Sequence, residues 1–367
     1  VIVSVTNDLA TDNRVHKICS SLVKFGFEVL LIGRKLPGSP EIGERRYKTI
    51  RFRLLFTKGP CFYGCYNLRL FLFLLFQRSQ ILLSNDLDTL PANYLASKIR
   101  HKKLVFDSHE YFSEVPELIH RPRTQKIWKS IEKRILPHIK HAYTVCDSIA
   151  DLYKMEYEVP FRVIRNAPEQ KESFLIPEVK IIKTDKKIIL YQGAVNIGRG
   201  LPEVISAMQY MDKALLLIVG NGDILEDIKE QVRNLALEEK VIFTGRLPAR
   251  EVKYFTAQAS LGLSIEQDLG LNYRYALPNK LFDYIGAEVP VLISNLPEMA
   301  RLVNKYQIGL IMNSHEPKAI AENMTEALQN KRLRELWKKN LRKASSELTW
   351  DKEEKVLAEV FLPLKTI

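Results

Sequence analysis

Lys280 stands in the first turn of a helix-forming stretch opened by Pro278 and Asn279, with Asp283 one turn further along the same edge. A helix N-terminus offers free backbone N–H groups and positive partial charge, so a lysine there makes an anion site suited to a nucleotide diphosphate. A proline-started surface helix with a solvated Lys and Asp at i, i+3 reads the same way, and the segment alone leaves both readings open. A second phosphate candidate lies in Tyr191–Pro202, where Gly193, Gly198 and Gly200 surround Arg199 just before a helix start. Close backbone approach, free N–H groups and one side-chain charge are what a phosphate needs, although such glycines also serve plain turns. The spacing is not G-x-G-x-x-G, so this loop does not indicate a nicotinamide cofactor. Two more strand-end turns, Gly220-Asn221-Gly222-Asp223 and Gly245-Arg246-Leu247, add backbone groups, the second able to read a base edge.

In the first half, His109 stands directly beyond the buried run Val105–Asp107, a position that suits a functional imidazole as well as a structural hydrogen bond. Asn7 follows the first strand, and Arg14 opens the first helix, where it could meet an anion. The triplet Asp86-Leu87-Asp88 could hold a divalent metal, but one of its aspartates is more simply the N-cap of the helix that follows, and no metal is expected.

These residues need strands that end beside one another. Short β-branched runs alternate with amphipathic stretches throughout. The strands expected in the first half are Val1–Thr6, Val29–Ile32, Thr49–Leu54, Ile81–Ser84, Leu104–Asp107, Tyr143–Val145 and Arg162–Ile164. In the second they are Ile188–Gln192, Ala214–Val219, Val241–Thr244, Leu261–Ile265, Val291–Ile293 and Leu310–Met312. The expected fold class is α/β, with two doubly wound parallel-sheet, Rossmann-like domains whose strand ends face each other across a cleft. Residues 166–186, rich in proline and in charges of both signs, have the composition of a linker. The expected division is 1–168, 169–348 and a last helical segment, 349–367, in which Thr349 would cap the helix.

Composition narrows the partners. The 367 residues carry 55 Lys and Arg against 43 Asp and Glu, a net +12, which favours a polyanionic partner. Four scattered cysteines suggest neither a disulfide scaffold nor a zinc site and point to a reducing, cytoplasmic compartment. Cations cluster in the first half, and the second cluster interleaves with Ile127, Trp128, Ile131 and Ile135 as a basic amphipathic helix. The apolar run Leu68–Phe76 is too short to span a bilayer, which takes about 20 residues, so no transmembrane helix is expected. Peripheral contact with an anionic membrane surface, on the inner face of the cell membrane, is the expectation these two segments raise.

The motifs in this order resemble the retaining glycosyltransferases of the GT-B fold, close to family 4. Asp12-Asn13-Arg14-Val15 resembles that family's D-x-R-V helix start, Asn85–Leu90 its N-domain loop and Asp107-Ser108-His109-Glu110 its D-x-H-E. Gly193–Gly200 resembles its phosphate loop, Leu277–Tyr284 its P-N-K-x-F-E-Y helix start, and the Thr349-Trp350-Asp351 helix its last helix, which crosses back onto the first domain. The resemblance implies transfer of a sugar from a UDP- or GDP-linked donor, with no separate cofactor, to a glycan or lipid-linked acceptor with retention of anomeric configuration; nucleic acid is not an expected partner. It implies that Arg199 and Lys280 hold the diphosphate, that Asp283 binds the ribose and the Gly245–Leu247 backbone the base, and that His109 contacts the donor sugar near the reacting carbon. Gly193, Gly222, Arg246 and Asn279 complete the donor side, and Asn7 and Arg14 stand on the acceptor side. The chain departs from the family at Ala194, where relatives carry Arg, and at Tyr275, where they carry the first of two glutamates; Glu266, Asn272 and Arg274 are the stand-ins for sugar recognition. A nucleotide-sugar 2-epimerase of the same architecture, or a nucleotide-sugar-binding protein without turnover, are the rival readings.

Overall fold

The computed structural model describes residues 1–10, 12–115, 118, 121–169 and 184–365, so most of the expected linker lies outside the described residues. The chain divides into two compact units, Val1–Arg165 with Glu353–Ile367, and Asn166–Lys352.

The first unit runs β1 (Ile2–Asp8), α1 (Asn13–Lys24), β2 (Leu30–Arg34), β3 (Lys48–Phe52), α2 (Gly59–Phe76), β4 (Ile81–Asn85), α3 (Leu90–Arg100) and β5 (Lys103–Ser108). It continues through α4 (Pro122–Ile135), β6 (His141–Thr144), α5 (Asp147–Tyr157) and β7 (Arg162–Val163). The seven strands are all parallel, in the order β3-β2-β1-β4-β5-β6-β7. Successive strands are added on one side of β1 and then, from β4, on the other. That reversal opens a crevice beyond the carboxyl ends of β1 and β4, where ligands bind in open α/β sheets.

The second unit runs β8 (Lys187–Gln192), α6 (Leu201–Ala207), β9 (Ala214–Val219), α7 (Leu225–Asn234), β10 (Val241–Gly245), α8 (Ala249–Gln258), β11 (Leu261–Ser264), the short α9 (Leu271–Arg274) and α10 (Asn279–Gly286). Then come β12 (Val291–Ser294), α11 (Pro297–Tyr306), β13 (Gly309–Met312), α12 (Pro317–Gln329) and α13 (Lys331–Glu347). Its six parallel strands are ordered β10-β9-β8-β11-β12-β13, which puts the reversal between β8 and β11. Central strands such as β9 and β12 are buried along their whole length, which accounts for their unbroken apolar runs. α14 (Trp350–Phe361) ends the chain's helices; its Glu354 accepts from Ser21 and pairs with Lys24 at 3.1 Å, both on α1 of the first unit.

Two sequence expectations change here. The run Leu68–Phe76 is the second half of α2, an 18-residue helix long and apolar enough, by length and composition, to cross a membrane. Its Phe62, Tyr66, Leu70 and Leu74 pack into the first unit's core with Ile32, Phe52 and Leu82, and the Tyr66 hydroxyl donates to Val5 O at 2.6 Å. Its outer face stays apolar nonetheless, with Leu68 62% and Phe76 83% exposed. In α4 the buried stripe is Trp128, Glu132 and Ile135; of the isoleucines spaced every fourth residue only Ile135 is buried, while Ile131 is half-buried and Ile127 exposed. Trp128 is held edge-on by Tyr63 at 5.2 Å and Phe112 at 5.1 Å, so it belongs to the packing of the first unit and not to an outward face.

Candidate functional site

In the second unit, the loops after β8 and β11 and the start of α10 bring three charged side chains together. Glu266, two residues past β11, is wholly buried, and its Oε1 lies 2.9 Å from Lys280 Nζ and 3.4 Å from Arg199 Nη1. Its Oε2 accepts the Ser264 hydroxyl at 2.9 Å. Burial alone would raise the Glu266 carboxyl, but Lys280 and Arg199 outweigh it and hold the group below its ordinary range. Each cation also lies over a ring, Lys280 4.0 Å from the Tyr191 centroid and Arg199 4.8 Å from that of Tyr273. The backbone makes room for this. Gly193, at φ +126, sits against the Lys280 stem, and a Cβ on Gly200 would lie 2.3 Å from Ile265 O.

α10 is tied down from beneath. The Tyr284 hydroxyl donates to Leu190 O at 3.1 Å or Leu263 O at 3.2 Å and accepts the Gln192 N–H at 3.2 Å, which joins the helix to β8 and β11. Gln192 in turn donates to Asp283 Oδ2 at 2.8 Å and accepts the Thr256 hydroxyl at 2.7 Å. Lys280 and Asp283 therefore sit on a helix whose rotation is set by hydrogen bonds to the strands they follow.

The remaining residues expected on the donor side are less integrated. Arg246 and Asn279 are exposed, and Arg274 pairs with Asp268 at 2.8 Å. Gly222 has a packing reason of its own, since a Cβ there would lie 2.3 Å from Val195 O. Glu266, expected to face sugar hydroxyls, turns inward to the two cations, because a buried lysine beside a partly buried arginine needs a counter-charge more than a partly wet hydroxyl does. A cavity of about 440 Å³ in this unit is lined by Ile197, Gly200, Glu203, Ile224 and Gln267, beside the glycine loop but away from Lys280 and Asp283.

The first unit gathers a second cluster at its own strand reversal. Arg14 is buried and grips Asp107 through Nη2 at 3.0 Å and Nε at 3.3 Å, with Nη1 on Ile164 O at 3.0 Å. Its anion is therefore Asp107, and the expectation that it meets an acceptor is corrected. Asp12, just before it, caps α1 by accepting the Val15 N–H at 3.1 Å. His109 lies between two carboxylates, Nδ1 3.1 Å from Asp86 and Nε2 3.1 Å from Asp107. Burial lowers its pKa, but Asp86 and Asp107 overcome that and raise it well above the usual imidazole value. Both ring nitrogens thus lie on carboxylates of the first unit, which fixes the orientation of the imidazole; contact of His109 with a donor sugar is what the resemblance implies.

Neither aspartate of the Asp86–Asp88 pair caps α3, whose first turn follows Thr89 without a side-chain cap bond. Asp86, in the left-handed region at φ 57, accepts the His109 N–H at 2.8 Å, while Asp88 accepts the Thr6 hydroxyl. Burial first, then Asp86, push the Asp88 carboxyl up to about 7, and its Oδ1 has no hydrogen-bond partner among the described residues. Asp88, Asp86, Asn7, Arg34, Lys58 and Glu110 line an open cavity of about 370 Å³.

Sequence patterning missed Tyr191, Gln192, Tyr273 and Tyr284. Their only signal is a polar or aromatic residue at a strand end or inside a buried helix face; their partners lie up to 94 positions away.

Comparison with known proteins bears on both units. Residues 12–168 match the family described as Glycosyltransferase Family 4, and residues 173–344 the family Glycosyl transferases group 1. Over 136 residues the chain is 25% identical to the alpha-monoglucosyldiacylglycerol synthase of Streptococcus pneumoniae, a match covering 35% of this chain and 29% of that protein. The chain spans less than half the length of the curated relatives it matches. Among solved structures, sucrose-phosphate synthase from Thermosynechococcus elongatus superposes with a TM-score of 0.79 at 16% identity, over 99% of this chain and 98% of that one. Anabaena HepE, in complex with UDP and glucose, gives 0.73 at 12% identity over 98% of each chain.

Proposed function

Because this chain belongs to the GT-B glycosyltransferases close to family 4, we propose that it moves a sugar from a UDP- or GDP-linked donor to a glycan or lipid-linked acceptor, with retention of anomeric configuration. The observation that carries the reading is the pair of cations at the strand reversal of the second sheet, Lys280 buried and Arg199 partly buried, on one carboxylate. A solved relative of this fold binds UDP and glucose, which supports a nucleotide-sugar donor.

In this proposal the two cations and the first turn of α10 bind the diphosphate. Asp283 accepts from the ribose hydroxyls, and the backbone of Gly245–Leu247 meets the base. As the bond from the sugar's anomeric carbon to the diphosphate breaks, negative charge grows on the leaving phosphate oxygen. Fixed cations in a partly dry site stabilise that charge without reorganising. The acceptor hydroxyl lies in the cavity lined by Asn7, Arg34 and Asp88, and a membrane-borne acceptor would reach it through contact of the first unit with an anionic surface. Support for that contact is the apolar outer face of α2, continued on α3 by Leu95 and Ile99 and flanked by the exposed cations Arg69, Arg78, Lys98 and Arg100.

A thermal-shift screen across UDP-, GDP- and ADP-sugars tests the donor. Only the matching donor stabilises by mass action, by about 2.7 kcal/mol at a hundredfold excess over Kd. A screen in which no nucleotide sugar moves the midpoint defeats the proposal.

A further inference from the structure

We infer that Glu266 is a positioning residue that holds Arg199 and Lys280 together as one phosphate-binding pair, an inference that rests on the nucleotide-diphosphate reading of this site. Its carboxylate is fully buried and fully engaged, one oxygen on both cations and the other on Ser264. Nothing of it is left to face a sugar.

The two cations, in contrast, are not used up. The Lys280 contact is close in distance but is not a directed hydrogen bond, and Arg199 Nε is buried without a partner among the described residues. Both therefore keep donors for a second anion. Like charges within 2.9 and 3.4 Å of the same oxygen repel, and with Lys280 only 8% exposed, water does little to screen them. One buried negative charge between two positive ones cancels that repulsion and leaves a net positive site. The rings of Tyr191 and Tyr273 then fix where each cation points.

Removing the carboxylate has two opposed consequences: it takes away a competitor for the cations, and it leaves a buried ammonium beside a guanidinium with no counter-charge. The second prevails, because a desolvated unpaired charge either swings out to water or loses its proton, and in both cases the diphosphate loses its contact.

The test is calorimetric titration of UDP and GDP, with uridine and guanosine as controls. The proteins are wild type, Glu266→Gln, Glu266→Asp, Lys280→Met and the double variant Glu266→Gln/Lys280→Met. Glu266→Gln should weaken the bound diphosphate about tenfold, corresponding to about 1.4 kcal/mol, leave the nucleoside unchanged, and be partly rescued by Glu266→Asp. The double variant should bind no more weakly than Lys280→Met, since Glu266 acts through the cations. The inference is overturned if Glu266→Gln binds the diphosphate as well as or better than wild type. Losses that multiply in the double variant overturn it too. Should Glu266→Gln not fold, the double variant, which removes carboxylate and cation together, decides through the same comparison with Lys280→Met. Wild type binding neither diphosphate overturns the nucleotide reading itself and this inference with it.

Discussion

Arg199 and Lys280 share a carboxylate, yet each has its own ring and its own segment of chain, so each should contribute separately to a bound diphosphate. Arg199→Ala and Lys280→Ala are each expected to cost roughly 1.5–3 kcal/mol of UDP or GDP affinity, the range for a charge-assisted contact, with little effect on the nucleoside. Calorimetry showing equal losses for diphosphate and nucleoside would place the cations elsewhere. In the first unit, Asp86 and Asp88 point to different partners, His109 and Thr6, rather than to one shared ion. Sugar transfer is accordingly expected to continue in excess chelator; loss of turnover on chelation, restored by manganese or magnesium, would contradict this.

At the scale of elements, α4 shows how a polar residue inside a packing face carries a pH dependence. Glu132 is 1% exposed on the buried stripe of α4, and burial, partly offset by Ser113, lifts its carboxyl to about 7. A carboxyl that holds its proton more tightly folded than unfolded stabilises fully below its unfolded value. That contribution is lost as pH rises through about 4.5 to 7. Glu132→Gln lacks this dependence, so its stability relative to wild type should improve by on the order of 3 kcal/mol between pH 4 and pH 8. Urea titrations giving the same offset at both pH values would show that Glu132 does not titrate in that window. α10 is the corresponding element in the second unit: Tyr284 beneath it, more than its proline start, sets where Lys280 and Asp283 stand.

For the whole molecule, the excess of cations and the outer face of α2 lead to one expectation about location. If both act together, the protein should co-sediment with vesicles containing anionic lipid and less with neutral ones, because several Lys and Arg near the surface contribute about 1 kcal/mol each. Leu68→Ser with Phe76→Ser, both at exposed positions, should reduce that binding without lowering the melting temperature. Equal sedimentation with neutral and anionic vesicles, or none at low salt, would leave a soluble acceptor as the better reading.

The alternation of buried strands with helices was legible in the chain itself, because a strand covered on both faces must be apolar throughout and a helix covered on one face must repeat near 3.6 residues. Strand-end glycines and Pro278 were equally legible, since turns and helix starts impose local backbone demands. What a charged side chain does with its charge was not. Arg14 and His109 resemble ligand-facing residues in sequence, yet in the fold they neutralise Asp107 and Asp86; Glu266 resembles a sugar ligand, yet it lies between Arg199 and Lys280. Local patterns are set by neighbours in the chain, whereas the counter-charge of a buried ion comes from whichever strand end the sheet order brings beside it, and only the tertiary structure decides that.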